Sequence, residues 1–338
     1  MKLARPHRFA NRVGGEGRFK EEYPPCKLID VGNAKTLGEM FGARKILQGE
    51  TMSEKICLIT GGNSGIGKAA AIQLAKNHCK VIIACRNFER GKIAVEEIKS
   101  QSNSSNVELL CIDMSSQNSI RDGVEIFIKS FNRLDVLIHN AADFDLSRKS
   151  PVYSTENIET VWATNHIGPV LMTDLLLPLM KKNENGRIIT VASQGLMLHP
   201  LLKINLQNPE FRGQKYSVEK AYYQSKLAQV MYTYWLSDKL TQDQITVNCI
   251  RVTNVKIDIS RYPNLSQFLK YLYSIKSKFS ITPDEMAKVY SALALDDNYK
   301  LVTGKYFDEK LKMVKSSAYS YDKKNIGQLM KKTYEFIK

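Results

Sequence analysis

The 338-residue sequence contains no long uninterrupted apolar run. The nearest candidate, residues 169–180, includes Asp174 and is shorter than the ~20 residues of a membrane-spanning helix. We therefore expect no stable membrane insertion. Residues 1–51 also lack the apolar core of a secretory signal, and their glutamates are atypical of an acid-poor transit peptide. Together these absences predict a cytoplasmic protein.

Paired cysteines and clustered histidines are missing as well. The six cysteines include no CxxC pair, and most of them lie in apolar, strand-like runs. This spacing is typical of buried free thiols in a reducing compartment. The five histidines are scattered without the spacing of metal ligands, so we expect no metal site.

The sequence is basic but has no block of lysine and arginine. Of the net charge of +15, residues 1–51 carry +4 and residues 305–338 carry +5, and the rest is spread along the chain. No aromatic-rich binding motif accompanies this charge. We interpret it as a generally basic surface that helps to attract a phosphorylated cofactor, and we expect no nucleic-acid partner.

The first 51 residues differ from the rest of the chain. They contain Gly14-Gly15 and Pro24-Pro25 among mixed charges, without the periodicity of a helix or strand. We interpret residues 1–51 as an irregular N-terminal extension. Alternatively, Met52 is the true start and the extension is not part of the fold.

From residue 55 onward, short β-rich runs alternate with longer helical patterns. Strands are predicted at 56–60, 80–85, 107–112, 134–140, 187–192, 245–251 and 302–307. Helices are predicted at 66–77, 88–101, 116–131, 155–182, 215–239 and 282–295. Because such alternation builds parallel βαβ units, residues 52–338 are expected to form one α/β domain. Its core would be a single doubly wound parallel sheet of Rossmann type with helices on both faces.

A glycine-rich turn, residues 60–67, follows the first of these strands and precedes the first helix. This layout brings a backbone close to a pyrophosphate at a helix N-terminus, and glycine permits the close approach. Alone, the spacing also fits an ordinary tight turn. The candidate cofactor contacts here are Gly61, Asn63, Ser64, Gly65, Ile66 and Gly67.

The ends of the next strands supply further candidate cofactor contacts. Arg86 stands where dinucleotide folds place an acid on the adenosine ribose, and a guanidinium binds a 2′-phosphate that a carboxylate would repel. This favours NADP(H), although a solvated arginine is the alternative. Asp113 either accepts from an adenine amine or caps the next helix. Asn140 and Ala141 are small enough to let a cofactor lie close.

Polar residues near the ends of later elements are candidates for catalysis. Asn165 sits within the run 164–169, Ser193 ends the fifth strand, and Tyr222 and Lys226 stand four apart on one helix face. A nearby ammonium favours the phenolate and lowers the phenol pKa towards the range of efficient acid–base catalysis. A serine hydroxyl can hold a carbonyl oxygen for protonation. Individually, each residue also fits a surface or core role.

In this order, the motifs resemble the short-chain dehydrogenase/reductase family. They are the TGxxxGxG turn, an Asn-Ala pair after the fourth strand, then an asparagine, a serine and a YxxxK pair. The run 84–87 and the AYxQSKLA pattern at 221–228 resemble its retinol dehydrogenase and protochlorophyllide reductase-like branch. The resemblance extends from about residue 55 to the end of the chain.

The family resemblance implies roles for these residues. Tyr222 would be the general acid/base and Lys226 would bind the nicotinamide ribose and tune the tyrosine. Ser193 would orient the substrate oxygen, and Asn165 would support a water-linked proton relay. The resemblance also implies a substrate lid at about 253–280. A C-terminal helix is implied at about 321–338.

A second YxxxK pair begins at Tyr216. Positions six apart differ by roughly 240° around a helix, so Tyr216 and Tyr222 cannot both face one cofactor. We choose Tyr222, because the interval from Lys226 to the next strand fits the family and Ser225 and Ala228 suit close packing.

One loop departs from the family pattern. Val252-Thr253 stands where the family carries Pro-Gly, and Ile257 replaces a threonine that contacts the nicotinamide amide.

We predict an NADP(H)-dependent oxidoreductase that transfers a hydride between nicotinamide and a carbonyl or alcohol of an apolar small molecule. The alternative is a catalytically weak NADP(H)-binding redox-sensing or interaction module. A homo-oligomer is compatible with either.

Overall fold

The computed structural model describes residues 28–29, 54–183, 185–256 and 280–337. Its centre is one sheet of eight strands in the order β1-β4-β3-β2-β5-β6-β7-β8. Seven strands are parallel, and the two-residue edge strand β1 runs antiparallel to β4. The strands are β1 Leu28–Ile29, β2 Ile56–Thr60, β3 Lys80–Cys85, β4 Val107–Cys111, β5 Val136–His139, β6 Gly186–Ser193, β7 Ile245–Val252 and β8 Lys305–Phe307.

Helices cover both faces of this sheet. They are α1 Gly65–Lys76, α2 Phe88–Ser102, α3 Gln117–Ser130, α4 Thr160–Trp162, α5 Gly168–Met180, α6 Val218–Lys239, α7 Pro283–Leu295, α8 Ala318–Tyr321 and α9 Lys323–Phe336. A π-helical turn, Ala163–Ile167, joins α4 to α5, and 3-10 turns lie at Gln194–Leu198 and Asp297–Tyr299. The predicted α/β class with a doubly wound parallel sheet is therefore confirmed.

The alternation of side chains along each strand divides the core into two layers. On β2, Leu58 faces the layer that contains α3, α5 and α6, and its neighbours Cys57 and Ile59 face the layer that contains α1, α2 and α7. All three side chains are fully buried. Because both faces are covered, the strands read as continuous apolar runs rather than as alternating ones.

The structure differs from the prediction in two places, and a third predicted feature lies mostly outside the described residues. Leu28–Ile29, in the stretch predicted to be irregular, pairs with Leu109 and Leu110 of β4. The helix predicted at 155–182 starts only at Thr160 and is interrupted by the π turn. Most of the expected lid, residues 257–279, lies outside the described residues. No helix within the described ranges has the length and apolarity to cross a membrane.

Candidate active site

A cleft of about 410 Å³ opens at the carboxyl ends of the strands, where the strand order reverses between β2 and β5. Open α/β sheets bind ligands at such a switch point. We call it the cofactor cleft. The predicted residues that line it are Gly61, Asn63, Ser64, Gly65, Ile66, Gly67, Arg86, Asp113, Asn140, Ala141 and Tyr222.

The glycine turn requires its glycines for conformation and for space. Gly61 has a φ of +66° and Gly65 a φ of +56°, which are left-handed values that side chains disfavour. A Cβ on Gly61 would lie 2.9 Å from the Cα of Ala141, and one on Gly67 would lie 2.4 Å from the carbonyl oxygen of Gly61. The turn therefore presents bare backbone at the N-terminus of α1, which suits a pyrophosphate.

Asn140 and Thr60 tie this turn to the end of β5. The Thr60 hydroxyl accepts hydrogen bonds from the backbone N–H groups of Asn140 and Ala141, at 3.0 Å each. The Asn140 amide donates to the carbonyl oxygens of Thr60 and Gly61 at 3.0 and 3.3 Å, and the Tyr290 hydroxyl donates to its Oδ1. The side chain of Asn140 thus braces the glycine turn at the wall of the cleft.

One end of the cleft is cationic. Arg86 and Arg90, which follow β3, line this end and are exposed, whereas Lys256 lines the cleft after β7, on the far side of β2. Asn87 caps α2 by accepting from the backbone N–H of Arg90, which positions both arginines around the first turn of that helix. Positive charge here favours a cofactor with an additional phosphate over one with a bare ribose.

The carboxylate of Asp113 also lines the cleft but is partly engaged. Its Oδ1 accepts from the backbone N–H and the hydroxyl of Ser115, at 2.8 and 2.7 Å. The backbone N–H of Asp113 in turn donates to the hydroxyl of Ser119 in α3. The residue therefore organises the turn that precedes α3, but the helix is capped by Ser116 and not, as one of the two predicted roles had it, by Asp113.

Tyr222 lies at the other end of the cleft, one turn into α6. Its ring stacks on that of Phe144, with centroids 4.0 Å apart and planes inclined by 21°. The Nζ of Lys226 lies 5.6 Å from the centroid of the Tyr222 ring, as the spacing of four residues predicts. The structure therefore brings this phenol and this ammonium together.

Lys226 is almost completely buried, with 3% of its surface exposed. Its Nζ donates to the carbonyl oxygen of Val191 on β6 at 2.9 Å. Burial disfavours the charged form and lowers the pKa of the ammonium to about 8. At neutral pH this lysine is still mostly charged, but it is far closer to titration than a surface lysine.

Asn165 occupies the π turn between α4 and α5. Its amide nitrogen donates to the carbonyl oxygen of Asp143 and to the hydroxyl of Ser225, and its Oδ1 accepts from the backbone N–H of Asp143. The Ser225 hydroxyl donates to the carbonyl oxygen of Tyr222 at 2.7 Å. Asn165 is thereby connected to the tyrosine through the backbone of α6. Single π turns of this kind are frequent at functional sites.

Ser193 and Tyr216 are not among the described residues that line the cleft. The hydroxyl of Ser193, at the end of β6, accepts from the backbone N–H of Gly195 at 3.1 Å. The hydroxyl of Tyr216 donates to the buried carboxylate of Glu159 at 2.9 Å. Burial and that carboxylate raise the pKa of Tyr216.

Several residues that line the cleft were not predicted from the sequence. Phe144 stacks on Tyr222, Arg90 adds charge beside Arg86, and Thr164 and Lys256 also line the cleft. Arg90 lies four residues after Arg86, in the first turn of the helix predicted at 88–101, and this proximity could have been predicted from the sequence. Phe144 sits in an irregular loop, and nothing in its local pattern indicates that it stacks on a distant tyrosine.

In the altered loop after β7, the Thr253 hydroxyl donates to the side-chain oxygen of Gln194. The replaced threonine position, Ile257, lies outside the described residues. Thr253, one of the two residues that stand in place of Pro-Gly, is therefore hydrogen-bonded to the turn that follows Ser193.

The chain is similar to known proteins over most of its length. Residues 55–201 match the family model described as short chain dehydrogenase. Retinol dehydrogenase 13 from Mus musculus is 31% identical over 262 residues, which are 76% of this chain and 76% of that protein. Retinol dehydrogenase 12 from Bos taurus is 33% identical and covers 75% of this chain and 78% of its own length. L-Sorbose reductase from Gluconobacter frateurii, solved with NADPH and L-sorbose, has a similar fold, with a TM-score of 0.60 at 22% identity over 78% of this chain and 96% of the reductase.

Proposed function

Because the chain belongs to the short-chain dehydrogenase family and resembles its retinol dehydrogenases, we propose that it is an NADP(H)-dependent oxidoreductase acting on a carbonyl or alcohol. One observation carries this proposal: a single cleft has a glycine turn at its centre, arginines at one end and Tyr222 at the other. The names of the relatives support an apolar alcohol or aldehyde as the substrate. A cytoplasmic location is part of the same proposal.

The residues of the cleft fit a dinucleotide with a 2′-phosphate. There is no room for a Cβ at Gly61 or Gly67, so the turn consists of bare backbone that a ligand can approach closely. Its N–H groups and the N-terminus of α1 would hold the pyrophosphate. Arg86 and Arg90 would hold the 2′-phosphate, because a guanidinium matches phosphate oxygens in charge and geometry.

When bound, the nicotinamide gives or accepts the hydride. Tyr222 provides the matching proton: its phenol donates to the carbonyl oxygen during reduction and accepts from the alcohol during oxidation. The Lys226 ammonium lies beside the ring, and its charge favours the phenolate. Ser193 would hold the substrate oxygen, and Asn165 fixes the segment of α6 that carries the tyrosine.

A second candidate function follows from the loop after β7. With Val252-Thr253 in place of Pro-Gly, and with the Thr253 hydroxyl bound to Gln194, the nicotinamide amide would have fewer partners there. This supports a protein that binds NADP(H) with little turnover and serves as a redox-sensing or interaction module.

The test is a titration of the full chain with NADPH and NADH, following nicotinamide fluorescence, and then an assay with a panel of apolar aldehydes and ketones. We expect NADPH to bind more tightly than NADH and to be oxidised by at least one compound. Tight binding without turnover across the panel would favour the second candidate. No binding of either nucleotide would contradict both.

A further inference from the structure

The loop that follows β5 folds back on itself where it reaches the active site. Within it, Oδ1 of Asp145 accepts from the backbone N–H and the hydroxyl of Ser147, at 2.9 and 2.6 Å. The backbone N–H of Arg148 donates to the carbonyl oxygen of Asp145 at 3.0 Å. Aspartate favours such turns because its side chain hydrogen-bonds the backbone two residues on. The turn brings the side chain of Arg148 back to Asp143, five residues earlier.

Arg148 and Asp143 form a forked ion pair. The Nη1 and Nη2 atoms of Arg148 lie 2.8 and 3.1 Å from the two carboxylate oxygens of Asp143. The hydroxyl of Thr160, in α4, accepts from Nη1 at 3.0 Å and donates to the same carboxylate at 2.9 Å. The two charged side chains are only 16% and 20% exposed. Because a forked pair fixes orientation as well as distance, it holds the loop in one position against α4.

Asp143 is held by its backbone as well. Its N–H donates to Oδ1 of Asn165 at 2.7 Å, and its carbonyl oxygen accepts from the Asn165 amide nitrogen at 3.1 Å. The next residue in the chain, Phe144, stacks on the ring of Tyr222. Asp143 is therefore fixed at both its side chain and its backbone, directly before the residue that covers one face of the tyrosine.

We propose that Arg148 is a positioning residue for Tyr222. By holding Asp143 against α4, Arg148 keeps Phe144 in the place where its ring packs on Tyr222. Arg148 is not among the described residues that line the cofactor cleft, so it acts through Asp143 and Phe144 and not by contact with the cofactor or substrate. This inference rests on the proposed function, in which Tyr222 supplies the proton.

The test compares Arg148→Met with Arg133→Met in the full chain. Arg133 forms a similar forked pair, at 2.9 and 3.0 Å, with Asp135, which precedes β5 at the edge of the sheet opposite the cleft. Each variant leaves a largely buried carboxylate without its arginine, so we expect both to be less stable in urea unfolding. Only Arg148→Met should lower kcat, by about three- to tenfold, with NADPH affinity within about twofold of wild type.

A double-mutant cycle distinguishes positioning from a general loss of stability. If Arg148 acts through Phe144, combining Arg148→Met with Phe144→Leu should give a kcat within about twofold of the slower single variant, because both changes disrupt one arrangement. Arg148→Lys keeps the charge and one of the contacts, so it should recover most of the lost kcat. Losses that multiply in the double variant would contradict this route.

The controls separate this role from the proposed function. Wild-type turnover with an unchanged kcat in Arg148→Met, or an equal loss of kcat in Arg133→Met, would overturn the role and leave the proposed function in place. A wild type without turnover on any compound of the panel would overturn both. If Arg148→Met does not fold, Asp143→Asn keeps the shape of the partner side chain and should still lower kcat by about two- to fivefold. An unchanged kcat in that variant would equally refute the role.

Discussion

The aromatic rings of Phe144 and Tyr222 lie face to face, although the residues are far apart in the sequence and sit on a loop and a helix. Their centroids are 4.0 Å apart, which is close contact for a stacked pair. One face of the phenol ring is thereby covered by a residue that does not itself carry chemistry. Phe144 is in this sense a positioning residue for Tyr222.

Replacing Phe144 by leucine keeps an apolar side chain but removes the flat contact. An aromatic pair contributes about 0.5–1.5 kcal/mol beyond its area, so we expect kcat to fall by about two- to tenfold. NADPH binding, measured by fluorescence, should change little. Phe211→Leu is the control, because Phe211 packs against Tyr216 and does not line the cleft. Equal effects of the two variants on kcat would contradict this role.

The two tyrosines of the two YxxxK pairs make a matched comparison. Tyr222→Phe removes the proposed proton donor, and we expect turnover to fall by about 10²–10⁴-fold with NADPH affinity nearly unchanged. Tyr216→Phe removes a hydrogen bond to the buried Glu159, so its effect should be a loss of about 1–3 kcal/mol in the free energy of unfolding, with turnover retained. Steady-state kinetics and urea unfolding of both variants check this. The opposite pattern would assign the chemistry to Tyr216.

Much of the fold could be predicted because its signals are local. The strands are continuous apolar runs ended by glycine or polar residues, and the predicted bounds of β2 and β3 agree with the structure to the residue. The π turn at Ala163–Ile167 could not be predicted, since its apolar pattern resembles that of an ordinary helix. The pairing of Leu28–Ile29 with β4 was missed because a two-residue edge strand has no periodicity.

The site was predictable to the extent that its residues share a strand end or a helix face. The glycine turn and the pair Tyr222 and Lys226 follow from spacing alone, and the structure places them as expected. The stacking of Phe144 and the bracing of the turn by Asn140 depend on contacts between distant segments. Such contacts arise from packing, which a single sequence does not specify.

We expect the arginines at the cationic end of the cleft to make the protein bind NADPH more tightly than NADH. Arg86→Ala removes a charge-assisted contact to the 2′-phosphate, so we expect NADPH to bind about 10- to 100-fold more weakly and NADH to change by less than about twofold. Adding Arg90→Ala should increase the difference. Lys92→Ala, on the same helix but outside the cleft, is the control. Equal losses for both nucleotides would remove the preference for NADP(H).

The burial of Lys226 predicts a specific dependence of stability on pH. Its pKa is lowered from 10.5 to about 8, so the unfolded chain binds more protons between these values, and this group destabilises the fold at neutral pH. The penalty is relieved as the pH rises through 8 towards 10.5. Relative to Lys226→Met, the wild-type protein should gain about 2 kcal/mol in unfolding free energy between pH 7 and pH 9.5.

Urea unfolding of both proteins at the two pH values measures this difference. Lys220→Met, six residues earlier on the same helix and exposed, is the control and should show no such change. A constant difference between wild type and Lys226→Met would mean that Lys226 is not desolvated in the folded protein.

His166 makes the fold sensitive to acid at the position next to Asn165. Its ring is fully buried, and its Nε2 lies 2.7 Å from the hydroxyl of Thr333 in the C-terminal helix. Gln229 lies 3.4 Å from its Nδ1, an arrangement that a neutral ring satisfies: Nε2 donates to Thr333, and Nδ1 accepts from Gln229. Burial lowers the pKa of His166 from 6.5 to about 3.

The His166 imidazole therefore binds a proton near pH 6.5 in the unfolded chain, whereas it stays neutral at that pH in the folded chain. The contribution of His166 to the free energy of unfolding is fully present above this value and is lost as the pH falls. We expect this loss to be roughly 2–3 kcal/mol between pH 7.5 and 4.5. His166→Gln should be less stable at pH 7.5 but lose less on acidification, whereas His78→Gln, at an exposed position, should follow the wild type. Since the same π turn holds Asn165, hydrogen exchange of residues 163–167 should increase in acid before the sheet opens. Protection that persists in that turn until global unfolding would show that His166 is not the acid-sensitive contact.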